Sequence, residues 1–348
     1  MKSMEPERFG EGEGSGMRWS LLLAVIGLSI TDVESFAQRQ PADESLAPTR
    51  ARVCGPTFFS STEMVRFQFI QGRLCLNCPQ HRKGTECRDE PGLHESITVT
   101  SEQGIPSLHY VLQTTEQQLT LNVQHAGTVR LESRILKTGQ RVILEQPAFG
   151  TIRWSQSGGD WTDQREALTL LHLRQYDPAG FDLHFGALIA CLLRGKSLNT
   201  IMEETNIAIV DQARRGGTPS VAEIKVMVDL LAAPTVIQRS RAYRQLLRWG
   251  TPVIPVLQGL SRDVLDAEQQ ARICDVRVRL RTYLDDTPAS LAKLLVNDKT
   301  YWEVIAHRLN KEQVRLANQH LLKFGAEPLS TGTGPEQQVA ARRGSALR

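Results

Sequence analysis

The chain has 348 residues, 41% of them hydrophobic and 23% charged, with a formal charge of +3. That length suffices for two compact domains, and the composition excludes wholesale disorder. Setting aside residues 1–37, 38 basic residues face 32 acidic ones, which is too weakly basic for a nucleic-acid-binding surface.

Taken in chain order, the first readable element is the apolar run Leu21–Ile30, preceded by Arg18 and Trp19. The run is too short to cross a bilayer, which needs about 20 apolar residues, and has the length of a secretory signal. Ser35-Phe36-Ala37 then predicts cleavage before Gln38, leaving no stable membrane span. Residues 1–16 hold four glutamates and four glycines and lack the positive charge with which such a signal begins. Met17 is therefore the expected start of translation, and the purine-rich codons implied by Glu11–Gly14 fit a bacterial ribosome-binding site. The expected location is periplasmic or extracellular.

Residues 38–96 read as a linker and a cysteine-rich segment. Four of the six cysteines, Cys54, Cys75, Cys78 and Cys87, fall in a 34-residue window. In an oxidising compartment an even cluster predicts disulfides, here stapling a segment poor in apolar residues. The alternative is a metal or redox centre of Cys75, Cys78, His81 and Cys87. Against a redox role, Val65–Gly72 alternates like a strand, whereas a reactive thiolate favours a helix N-terminus. A lone Cys-x-x-Cys is also a weak zinc signal. Cys191 and Cys274 lie in apolar helical patterns and read as small buried hydrophobes.

Residues 97–157 read as a β-rich module with strands at Thr98–Ser101, Leu108–Gln113, Leu119–Gln124, Val129–Leu136, Arg141–Gln146 and Thr151–Trp154. Leu119, Leu121 and Val123 face one way and Thr120, Asn122 and Gln124 the other, as in an antiparallel meander, sandwich or small barrel. Gly158-Gly159-Asp160 reads as a boundary. Residues 163–328 then show helical periods: Phe185, Leu188, Ile189, Leu192 and Leu193; Val221, Ile224, Val228 and Leu231; Val314, Ala317, Leu321 and Phe324. Residues 329–348 are small, polar and basic, which predicts a disordered tail.

Within the helical half, Arg241–Trp249 reads as a helix stopped by Gly250, with Pro252 opening the next. Val253, Val256, Leu257 and Leu260 supply that helix's buried face. Asp266 caps a third, whose stripe is Ile273, Val276, Leu280 and Leu284. Over about residues 240–284 this pattern resembles the HEAT-like repeat family. The resemblance implies an all-α array used for protein interaction, and a single repeat needs neighbouring helices to bury its apolar face.

Catalytic signatures are absent. Gly195-Lys196-Ser197 lacks the preceding glycine and strand of a phosphate-binding loop, and no nucleophile elbow, zincin motif or calcium loop occurs. His307 and His320 read as isolated histidines. Arg241, Arg244 and Arg248 share a helix face and are the candidate contacts for an acidic partner. The expectation is therefore an α+β, non-enzymatic, exported bacterial protein without a cofactor, which binds or scaffolds a protein partner. The alternative is the extracytoplasmic metal or redox protein.

Overall fold

The computed structural model describes residues 65–77, 83–158, 161–260, 264–281 and 284–329. The chain divides into Met1–Ala51 and Arg52–Arg348, and every described residue lies in the second unit. The expected export segment and cleavage site, Cys54, Cys78, His81 and the residues beyond 329 lie outside the described residues.

Alternating apolar and polar residues build an eight-stranded antiparallel sheet in which each strand pairs with its sequence neighbours. Its strands are β3 (Gly84–Glu90), β4 (Leu93–Glu102), β5 (Ile105–Thr114), β6 (Gln117–Gln124), β7 (Thr128–Ile135), β8 (Arg141–Gln146), β9 (Ile152–Gly158) and β10 (Trp161–Ala167). β1 (Phe67–Ile70) and β2 (Arg73–Leu76) form a separate two-stranded hairpin. The sheet thus extends beyond residues 97–157 on both sides. Trp161 pairs with Gly158, so the chain re-enters the sheet where a module boundary was expected.

The helices follow as α1 (Leu170–Tyr176), α2 (Pro178–Phe181), a π-helical turn (Asp182–Gly186), α3 (Ala187–Leu192) and α4 (Leu198–Arg215). Next come α5 (Val221–Leu230), α6 (Val236–Trp249), a 3-10 turn (Thr251–Val253), α7 (Ile254–Gly259) and α8 (Ala267–Arg279). α9 (Pro288–Leu295), α10 (Lys299–Ile305) and α11 (Lys311–Phe324) complete the described fold. No helix among the described residues is long and apolar enough to cross a membrane.

One sheet face is apolar: Tyr110, Leu121, Leu131 and Leu144 are fully buried and share a core with residues of α1–α4 and α9–α11. Sheet and helices therefore belong to one packing unit and are not independent modules. A second apolar cluster, with Ile224, Val228, Leu246, Leu257, Ile273 and Val276, lies among α5–α8. Leu280 and Ala326 touch both clusters. The stripe expected to end at Leu284 ends earlier, because α8 stops at Arg279 and Leu284 is exposed. Cys274 is also exposed and Cys191 only half-buried, contrary to the buried reading. Cys274 directly follows the inward-facing Ile273, a 100° step around the helix that takes it off the buried stripe.

Gly250 ends α6 with φ +76° and ψ −152°, a region essentially restricted to glycine but distinct from a left-handed helical cap. Pro252 is the second residue of the 3-10 turn that leads into α7. Asp266 caps α8 through a reciprocal capping box with Gln269, as its position predicts.

The β1–β2 hairpin locks the sheet to the helical layer. Its turn, Gln71–Gly72, has positive φ at both residues, the backbone demanded by a tight hairpin turn. The Gly72 amide donates to Asp286 Oδ2 at 2.7 Å, and the Phe69 amide donates to Asp285 Oδ1 at 3.0 Å. Gly72 carbonyl accepts from the Leu170 amide, and a Cβ at Gly72 would lie 2.5 Å from Thr169 Cβ. On β2, the side chain of buried Gln146 pairs with both the amide and the carbonyl of Leu74.

Candidate functional site

Among the described residues, no helix covers the sheet's second face. Register brings its outward residues into rows across the strands. In one row Asp89 faces His94, Gln113 faces Gln118, Arg134 faces Arg141, and Ser157 faces Thr162. All are polar because this face meets water, whereas the residues between them point into the core.

A shallow depression of about 440 Å³ opens on this face, lined by Gln118, Thr120, Glu132, Arg134, Arg141 and Ser157 together with Gly139 and Gly158. The Arg141 guanidinium binds Glu132, with Nε and Nη2 at 2.8 and 2.7 Å from Oε1. Glu132 also lies 3.6 Å from Arg130, which is itself engaged by Glu145. Arg134, exposed on the adjacent strand, makes no ion pair or side-chain hydrogen bond with any described residue. The depression therefore presents two guanidinium groups against one carboxylate, an arrangement suited to an anion.

The sequence-predicted cysteine set is not brought together in the described structure. Cys75 and Cys87 carry free thiols. Cys75 lies buried on β2, where its sulfur accepts from Arg281 Nη2 at 2.6 Å. Burial raises its thiol pKa, outweighing the opposing pull of Arg281 and Arg73. Arg73 is buried too; it donates to the carbonyls of Gly150 and Pro147 at 2.6 and 2.5 Å, and burial lowers its pKa to about 10. This pocket braces the hairpin against the end of α8.

Cys87 stands elsewhere, exposed on the edge strand β3. Its sulfur donates to Asp89 Oδ2 at 3.4 Å, and His94 Nδ1 lies 2.6 Å from Asp89 Oδ1. The side-chain hydrogen bond from His94, joined by that from Cys87, holds the Asp89 carboxyl below its ordinary range. The candidate ligand atoms of these three residues all lie within 4.8 Å of one another. Sequence reading passed over Asp89 and His94, although the alternation on either side of Pro91–Gly92 was the available signal.

A Thr–His–Asp arrangement occurs inside the protein. Thr169 Oγ1 is 2.9 Å from His172 Nδ1, and His172 Nε2 is 3.2 Å from Asp298 Oδ2. The latter approach lies off the hydrogen-bond line, so the contact is electrostatic. Burial pushes the Asp298 carboxyl up, but His172, Thr300 and the Tyr301 amide together draw it below its ordinary value. Thr169 and His172 are 0% and 1% exposed. A hydroxyl sealed from substrate is not a nucleophile, and this constellation joins α1 to the cap of α10.

His184, in the π-helical turn, has Nδ1 2.9 Å from Ser133 Oγ, and burial lowers its pKa to about 4. It too is sealed, at 1% exposure. His320 is buried with Nε2 3.0 Å from Asn297 Oδ1, and His307 lies 3.2 Å from Gln175 Nε2. Ser197 of the Gly195-Lys196-Ser197 stretch caps α4 and so lies at a helix terminus. Arg241, Arg244 and Arg248 are all exposed on α6, and Arg244 donates to the Ser240 carbonyl at 3.2 Å. No family model, no curated protein and no solved structure matches the chain.

Proposed function

We propose that the protein is a non-catalytic binding module that holds an anionic partner against the open face of its sheet, at Arg134 and Arg141. The observation that carries this reading is the Arg134 guanidinium, which pairs with no described residue, in a polar depression on a face that no described helix covers. A rigid eight-stranded meander holds the two arginines on adjacent strands, so little side-chain scaffold needs ordering on binding. The helical layer acts as backing, and its α5–α8 cluster is the part we read as HEAT-like. The export segment at 21–30 supports an extracytoplasmic setting for this interaction.

The test is retention of the full chain on heparin and on a carboxylated polysaccharide, with salt elution. Arg134→Ala should weaken binding about tenfold or more, since a hydrogen bond to a charged group contributes about 1.5–3 kcal/mol. Unchanged retention of Arg134→Ala would refute the assignment. So would loss of retention in an Arg241→Ala, Arg244→Ala, Arg248→Ala triple variant alone, which would move the interaction to α6.

A further inference from the structure

We propose that Cys87, Asp89 and His94 form a zinc-binding site at the tip of the β3–β4 hairpin. The site is independent of the arginine depression, to which it contributes no residue.

The placement follows from strand geometry. Cys87 and Asp89 are two residues apart on β3, so both point to the open face. The register pairs Asp89 with His94 across the hairpin, which puts the imidazole on the same face. Pro91–Gly92, with Gly92 at φ +77°, closes the hairpin and fixes that pairing. β3 is an outermost strand of the described sheet, so no described strand lies on one side of the cluster.

Distances and donor types agree with zinc. Bonds of about 2.3 Å to sulfur and 2.0 Å to oxygen at a tetrahedral angle place the two ligand atoms roughly 3.5 Å apart. Cys87 Sγ and Asp89 Oδ2 are 3.4 Å apart. His94 Nδ1, 2.6 Å from the other carboxylate oxygen, supplies the third donor after a small rotation that turns it from that oxygen to the metal. One thiolate, one imidazole and one carboxylate make a set suited to zinc and unsuited to calcium or magnesium, which take oxygen ligands. Cys87 and Asp89 are exposed, so a fourth position faces solvent. The thiol proton leaves to solvent as the sulfur–metal bond forms, and no oxidation or reduction is involved.

The assignment replaces the Cys75, Cys78, His81 and Cys87 set with one that shares only Cys87. Cys75 is excluded from the site by its burial against Arg281.

The experiment titrates chelator-stripped full chain with zinc by calorimetry and with cobalt(II) by absorption spectroscopy. We expect one ion per chain and a thiolate-to-cobalt charge-transfer band. Cys87→Ser should abolish the band, and His94→Ala should weaken zinc binding at least about tenfold. All three side chains are on the surface of the hairpin, so both variants should keep the wild-type circular dichroism spectrum and melting temperature. Cys78→Ser and His81→Ala should bind zinc as the wild type does. The proposal is overturned if no ion binds to protein whose thiol count shows Cys87 to be free, or if Cys78→Ser or His81→Ala removes the site. It is equally overturned if Cys87 of the unreduced protein is found in a disulfide, which would restore the staple.

Discussion

Asp286 ties the β1–β2 hairpin to the helical layer and provides a quantitative test of the packing. Its Oδ2 accepts from the Gly72 amide at 2.7 Å and its Oδ1 accepts from Ser290 Oγ at 3.2 Å. Burial raises its pKa from an ordinary 3.8 to about 6, against the opposing effect of its backbone hydrogen bonds to Gly72 and Gln71. The folded carboxyl thus holds its proton over a range in which the unfolded chain has lost it. Its contribution to stability is fully present below pH 3.8 and is lost as pH rises through 6. Two pH units at 1.36 kcal/mol each set a ceiling of about 3 kcal/mol. The residue is only half-buried, so water reduces this to about 1–3 kcal/mol. Asp286→Asn keeps an acceptor for Gly72 and can donate to Ser290, yet cannot ionise. Urea unfolding between pH 4 and 7 should show the wild type losing about 1–3 kcal/mol relative to this variant. A difference between the two proteins that stays constant across that range would refute the argument.

Gly250→Val should lower stability by about 1–3 kcal/mol in thermal unfolding, because φ +76° with ψ −152° strains any β-branched residue. The nearest atom to an added Cβ is Pro252 Cδ at 3.9 Å, so the cost is backbone strain and not a clash. Asp298→Ala should cost about 3–5 kcal/mol, since it removes the partner of buried His172 together with the cap on Thr300 and Tyr301. Its effect should shrink as pH falls below the ordinary 3.8, where the unfolded carboxylate takes up a proton first, and the stabilising contribution is lost as pH falls through the lowered folded value. An effect of undiminished size at pH 3 would show that the cap alone matters.

What could be read in advance was whatever local periodicity controls. The six expected strand cores all fall on β4–β9, because their inner residues alternate without interruption. The edge strands β3 and β10 escaped notice. Gly-Thr-Glu-Cys-Arg-Asp-Glu and Trp-Thr-Asp-Gln-Arg-Glu-Ala bury almost nothing, so backbone pairing with β4 and β9 makes them strands. Without β10, Gly158 looked like a boundary, and one packing unit looked like two. The helical stripes at Phe185–Leu193 and Ile224–Leu231 are buried as their period requires. The misreading of Cys274 came from treating a position beside the stripe as part of it.

The two candidate sites differ in how they arise from the chain, and that difference explains why neither was seen. Arg134 and Arg141 meet because the β7–β8 turn at Thr138–Gly139 sets a register in which they face each other. A slip of one residue would instead send one of them into the core. Their significance also depends on Glu132 choosing Arg141 and leaving Arg134 unpaired, a competition between side chains that no periodicity encodes. Cys87, Asp89 and His94 fall within eight consecutive residues that include a Pro-Gly turn, so a hairpin reading alone would have placed them on one face. The Cys75-Leu76-Asn77-Cys78 spacing pointed away from them. Sequence proximity favoured a donor set linked along the chain, whereas a sheet assembles donors across strands.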